Sequence, residues 1–284
     1  MLLHLSQAII SEWVLKYMAP EDTVAARETC NEGRDMFPLS TKLCLNNVTT
    51  TSTTFWEWIH SSLPQRLQTF NLLCFAAKRG SLELVEWAFH NGYSLSPFVC
   101  AAAASGGHLD TLMWARANGC PWDFMTCDNA ASSGHLSVLQ WARGHGCPWD
   151  KWTCYAAATN GHLSVLQWLL ANGCSWDAST CYAAAEGGHL EVLQWARVNG
   201  CPWSKLTCAA AAEGGHLDVL QWLRANGCPW DKRTCAGAAT GGHLYVLQWA
   251  RARGCPWDEE TCATAASNGH LEVLQWARDN GCPE

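Results

Sequence analysis

The chain has 284 residues, 49% of them hydrophobic and 15% charged, a balance that fits a folded protein and argues against general disorder. Its net charge of −7 divides as −2 over residues 1–70 (five basic, seven acidic) and −5 over the rest (thirteen basic, eighteen acidic), so no basic stripe offers itself to phosphates and nucleic acid is not an expected partner. The outliers are 18 Trp and 17 Cys; an odd cysteine number without a secretion signal points to a reducing compartment, the cytoplasm or nucleus, more than to a disulfide framework.

The opening MLLHLSQAIISEWVLKYM has no basic leader and sets Glu12 and Lys16 inside its apolar run, so neither a signal peptide nor a membrane span is expected. Ile9, Ile10, Trp13, Val14 and Tyr17 fall at helical spacing, Pro20 breaks the helix, and Glu21 to Cys30 reads as a second one. This arrangement resembles an F-box, although the family's opening Leu-Pro is absent and Glu28, Glu32 and Asp35 make the second helix acidic. The resemblance implies that Leu5, Ile9, Val14 and Leu15 contact a Skp-type adaptor of a cullin ubiquitin ligase, with the rest of the chain selecting the substrate. The alternative for residues 1–37 is a helical cap that covers the adjoining part of the fold. Residues 38–54, rich in Thr and Asn, read as a linker, and 55–70 as a helical lead-in interrupted at Pro64.

From residue 71 the sequence repeats. His108, His135, His162, His189, His216, His243 and His270 recur with an unvarying 27-residue period, with Ser81 in phase one period earlier, so eight units fill residues 71–284. In one of them Asp123 is the candidate N-cap of a first helix, with Thr126 three residues on, and Gly134 ends that helix in a left-handed conformation. Cys127, Ala130 and Ala131 share a narrow face of small residues that permits close approach. The second helix is apolar over most of its circumference, through Leu136, Val138, Leu139, Trp141 and Ala142, and leaves Ser137, Gln140 and Arg143 as a polar strip. Such a helix needs cover on several sides, which stacked units supply. Gly146 stops it. The last unit ends at Gly281-Cys282-Pro283-Glu284, short of the Trp and Asp that close the other loops, so the last repeat is expected to fray, or further chain or a second copy to cover Leu271 to Arg278.

The segment Ala211-Ala212-Glu213-Gly214-Gly215-His216-Leu217-Asp218-Val219-Leu220, followed by Asn226-Gly227, resembles the ankyrin repeat and recurs over about three quarters of the chain. The resemblance implies an all-α solenoid of helix-turn-helix units that binds another protein without catalysis. Two departures stand out: Thr-Cys replaces the usual Thr-Pro-Leu-His, and the long finger between units of the ordinary repeat of about 33 residues is cut to Gly-Cys-Pro-Trp-Asp.

Two cysteines, a histidine and two tryptophans per unit raise the question of a metal or redox site. Neighbouring units sit about 8–10 Å apart, too far for a disulfide ladder between them. No C-x-x-C or H-x-x-x-H occurs, and no metal or other cofactor is expected. A pair within a unit, such as Cys120 with Cys127, stays open. Catalysis needs one histidine beside one partner, whereas here the same residue recurs seven times, so no enzyme is expected. Trp141, Trp168, Trp195, Trp222, Trp249 and Trp276 lie on the apolar arc and are expected in the core.

Function is therefore sought where units differ. Opposite the inward face of the first helix lie Met125, Asn129 and Ser132, flanked by Asp128. The equivalents of Met125 are Trp152, Ser179, Leu206, Arg233 and Glu260, and those of Asp128 are Tyr155, Tyr182, Ala209, Ala236 and Ala263. Stacked, they form a ridge that is aromatic and apolar from Met125 to Tyr182, basic at Lys232-Arg233 and acidic at Glu259-Glu260. Met125, Asp128, Asn129, Trp152, Tyr155, Tyr182, Leu206, Arg233 and Glu260 are the candidate contacts to a protein partner.

Overall fold

A computed structural model of the chain describes residues 71–283 together with Thr53, Trp56, Glu57 and His60. The F-box-like residues Leu5, Ile9, Val14 and Leu15 lie outside the described residues. Among the described residues eight helix pairs succeed one another. The first helices run Leu72–Lys78, Pro97–Gly106, Phe124–Ser132, Lys151–Thr159, Ala178–Glu186, Lys205–Glu213, Lys232–Thr240 and Glu259–Ser267. The second helices run Leu82–His90, Leu109–Ala117, Leu136–Gly144, Leu163–Ala171, Leu190–Val198, Leu217–Ala225, Leu244–Ala252 and Leu271–Asp279. There is no strand among the described residues, and none of their helices is long and apolar enough to cross a membrane.

The local signals act where the sequence sets them. The Asp123 carboxylate accepts from the Met125 amide at 3.0 Å, and the Asp150 and Ser204 amides donate in turn to the Thr153 and Thr207 hydroxyl oxygens. At Gly134, φ is +77°, and the His135 amide reaches back to the Ala130 carbonyl while that of Gly134 reaches Ala131, closing a Schellman turn. Gly146 ends the second helix in the same way.

First helices pack on first helices of the next unit along the whole array, while second helices pack mainly on their own partners. The cause is side-chain size: Cys127, Ala130 and Ala131 are fully buried. At Gly237 a Cβ would come within 2.7 Å of the Ala209 carbonyl oxygen, so the sixth and seventh first helices come together over bare backbone. On the second helix Val138, Leu139 and Ala142 are buried, whereas Ser137, Gln140 and Arg143 face solvent. In the final unit Leu271 is 72% exposed.

The tryptophans differ from the sequence expectation. Trp141 and its equivalents are half-buried, because the second helices splay apart and leave a wedge between them that the loop tryptophans fill. Trp122 stands edge-on to Trp141 at 5.9 Å, with the Arg116 guanidinium of the preceding unit 4.1 Å above its ring. The arrangement repeats through Arg143, Trp149 and Trp168, and again down to Arg251, Trp257 and Trp276. Each arginine also donates to the carbonyl of the loop cysteine, as Arg143 does to Cys147 at 3.2 Å. At Trp176 Leu170 takes the arginine's place, and the edge-on contact to Trp195 at 5.7 Å remains.

The histidines tie each unit to the one before. The Nε2 of His162 donates to the Ser132 carbonyl at 3.1 Å, at the C-terminal end of the preceding first helix, and His108, His135, His189, His216 and His270 make the same bond at 2.9–3.2 Å. The ring lies flat against the previous unit's turn, so that a Cβ on Gly134 would meet it at 2.7 Å. That glycine is required twice, by its positive φ and by the ring. At the other end, Trp56 is fully buried with its ring 5.5 Å from Phe75, and His60 meets Trp87 edge-on and the Tyr93 hydroxyl at 3.2 Å.

His162→Ala is expected to lower stability by about 1 kcal/mol through the lost bond, read as a lower urea midpoint with unchanged slope. Gly134→Ala is expected to cost more than the about 1–2 kcal/mol of a left-handed L-residue, since the ring must also move. Equal stability of the two variants and the parent would refute the clasp.

Candidate functional site

The surface that varies between units is carried by the exposed side of the first helices, just after their capping residues. Asp150 starts the fourth first helix, which sets Lys151 and Trp152 in its first turn and Tyr155 one turn on. Trp152 is 49% exposed and stands edge-on to Tyr155 at 5.5 Å, with the Lys151 ammonium 5.4 Å from its ring. The Tyr155 hydroxyl donates to Glu186 of the next unit at 3.4 Å; burial and that carboxylate raise its pKa above the ordinary tyrosine range. Tyr182 is raised by burial and by Glu186 and Glu213.

Of the nine candidate contacts, Trp152, Leu206, Arg233 and Glu260 are exposed, and Met125, Asp128, Asn129, Tyr155 and Tyr182 are half-buried. Besides Tyr155, two of the latter are engaged within the fold. Asp128 accepts from the Thr153 hydroxyl at 2.5 Å; burial raises its carboxyl pKa and this bond opposes the rise. Asn129 donates to the Met125 carbonyl at 2.8 Å. Ala236, expected on the exposed flank, is buried, because Gly237 beside it draws its helix against the neighbouring one.

Further residues join the surface. Phe98 is 55% exposed one period ahead of Met125, and Phe124 stands exposed next to Met125. The aromatic stretch therefore runs from the second unit to the fifth, through Phe98, Phe124, Met125, Trp152, Tyr155 and Tyr182. Beyond it the middle of the face is small, at Ala209 and Ala236, between Leu206 and Arg233 at the helix starts and Glu213 at a helix end. The lysines here are spoken for: Lys151 pairs with Asp177 at 2.8 Å, Lys205 with Asp231 at 3.0 Å, and Lys232 with Asp258, each joining one unit to the cap of the next. Among the described residues no group of three or more His, Cys, Asp or Glu is placed to hold a metal ion.

A family model of ankyrin repeats matches residues 127–170 and 154–197. Residues 127–197 carry ankyrin repeats. The matched stretch spans the third to fifth helix pairs, and the units on either side repeat its sequence and its caps at the same 27-residue period. Among solved structures, the human ASB11 ankyrin repeat domain is similar at 19% identity over 55% of this chain and 84% of that one, with a TM-score of 0.46. No curated protein matches the chain. In these ankyrin repeats the loop between units is a closed piece of structure: its cysteine points inward, its tryptophan fills the wedge and its aspartate caps the next helix. Side chains for recognition are left to the first helices.

The Lys151 ion pair beside Trp152 gives a test of this geometry. Bonds from Lys151 and then Ser179 hold the Asp177 carboxyl down at about 2. A depressed pKa stabilises the fold fully above the unfolded value of about 3.9 and ceases to do so as pH falls through about 2. NMR titration is expected to show Lys151→Ala moving the Asp177 pKa upward toward about 3.9, and an unmoved value would place the ammonium elsewhere.

Proposed function

We propose that the chain is a non-catalytic interaction scaffold whose first-helix face binds another protein, with Trp152 and Tyr155 as anchors and Arg233 supplying charge selectivity. Trp152 carries this reading. It is half exposed, braced by Tyr155 and Lys151, and in line with exposed Phe98 and Leu206, a larger apolar run than solubility favours. Tryptophan, tyrosine and arginine dominate the energetics of protein contacts because they bury much area with few rotors to freeze. Met125, Asp128, Asn129, Tyr182, Leu206 and Glu260 complete the footprint. Asp128 and Asn129 shape it from within the fold more than they reach out of it.

Trp152→Ala is expected to weaken capture of a partner by about 1–3 kcal/mol while leaving thermal unfolding unchanged. Tyr245→Ala removes an aromatic side chain 80% exposed on a second helix and is expected to leave capture intact. Loss of folding in the first variant, or equal loss of capture in both, would refute the surface. The role of Leu5, Ile9, Val14 and Leu15 as adaptor contacts is a separate proposal resting on the resemblance of the first residues to an F-box; a chain beginning at Phe70 would lose a Skp-type adaptor and keep the other partner.

A further inference from the structure

Each unit from the second onward brings two thiols together that the ridge does not use. One cysteine follows Thr in the first helix and the other follows Gly after the second helix, beginning with Cys100 and Cys120 and recurring once per unit to Cys262 and Cys282. In all seven units the two thiols perturb one another's ionisation, as groups in close approach do. The Cys181 sulfur also lies 3.9 Å from the Cys201 carbonyl oxygen, and the same approach recurs at Cys208 and Cys235. Every loop thiol is fixed from its other side by donating to the backbone carbonyl at the capping position of its own unit, as Cys201 does to Asp177 at 3.4 Å. This partner differs from the Cys120–Cys127 pair that nearness in sequence suggests, because the chain returns to the start of a first helix only after the second helix is complete. All of these cysteines are free thiols in the structure.

Packing alone asks for one small buried residue at each position, and alanine fills such places throughout the same helices. Two adjoining sulfurs in every unit are a chemical arrangement as well as a steric one. We propose that the seven pairs form a thiol–disulfide ladder, each pair convertible to a disulfide within its unit by exchange with a low-molecular-weight disulfide such as oxidised glutathione. In each conversion two protein S–H bonds and one reagent S–S bond are lost, and one protein S–S bond and two reagent S–H bonds form. The protein sulfurs give up two electrons, the reagent sulfurs accept them, and both protons end on the reagent thiols. A disulfide here closes the unit on itself, first helix to outgoing loop, so oxidation stiffens units singly without joining them. Because the thiols are buried, exchange proceeds when a unit opens. Thermodynamic linkage then makes the preference reciprocal: a fold that favours the disulfide is favoured by it in equal measure.

The full chain is equilibrated in buffers of graded reduced and oxidised glutathione, with and without concentrated urea, then acid-quenched, alkylated and mapped by peptide mass spectrometry. Native protein is expected to form disulfides joining each first-helix cysteine to the loop cysteine of its own unit, with effective concentrations about 100-fold or more above those of the urea-unfolded chain, and the oxidised chain is expected to melt at a higher temperature. Cys201→Ala is expected to delete the fifth unit's disulfide alone and leave Cys181 titratable. Effective concentrations no higher than in urea, linkages of other spacing such as Cys120–Cys127, or a melting temperature that falls on oxidation would each overturn the proposal.

Discussion

The array depends on a hydrogen bond that spans units: a histidine ring reaches from the start of one second helix to the last carbonyl of the first helix before it, lying on a glycine that has no side chain to obstruct it. A helix end leaves carbonyls without partners, and satisfying one of them from the next unit converts a local deficit into a fixed distance between neighbours. First helices are thereby held close enough that small residues, alanine, cysteine, threonine and glycine, dominate their buried faces. Second helices, on the far side of the turn, are left splayed. The tryptophan and arginine of each loop occupy that opening, so the short loop is a consequence of the spacing as much as a truncation.

This division of labour explains where variability is permitted. Each cysteine, histidine, loop tryptophan and capping aspartate has a partner in its own unit or the adjoining one, and a change at any of them is felt by both. The first turn of the first helix, by contrast, faces outward from a rigid support. It can carry Phe98, Trp152, Arg233 or Glu260 with little consequence for the stack.

Much of this is legible in the sequence because its causes are local. Asp123 and Gly134 mark the helix ends by their own conformational preferences, and Cys127, Ala130 and Ala131 define the buried face by size alone. The histidine's role is less so, since its acceptor is a backbone carbonyl that leaves no signature in the sequence. Trp141 reads as core and is only half-buried, because an apolar arc on a helix does not say how far the neighbouring helix stands from it. The thiol that acts on Cys127 is that of Cys147, farther along the chain than Cys120. On the candidate surface, the phase of Trp152 and Arg233 follows from the period, and Phe98 is available by the same arithmetic. The bond from Thr153 to Asp128 requires the coordinates, because other units carry Tyr or Ala at that position.

The six histidines that make this bond reach back 30 residues, one period and three more. A cut and rejoining that removes or duplicates any whole number of periods therefore brings together the same ring, the same glycine and the same carbonyl, wherever in the unit the break falls. An insertion of any other length leaves a ring without a seat. The bond also has a direction, always from a later unit to an earlier one, so the array is polar and its two ends are unlike. Copy number is thus a free variable for this sequence, while length within a copy is not.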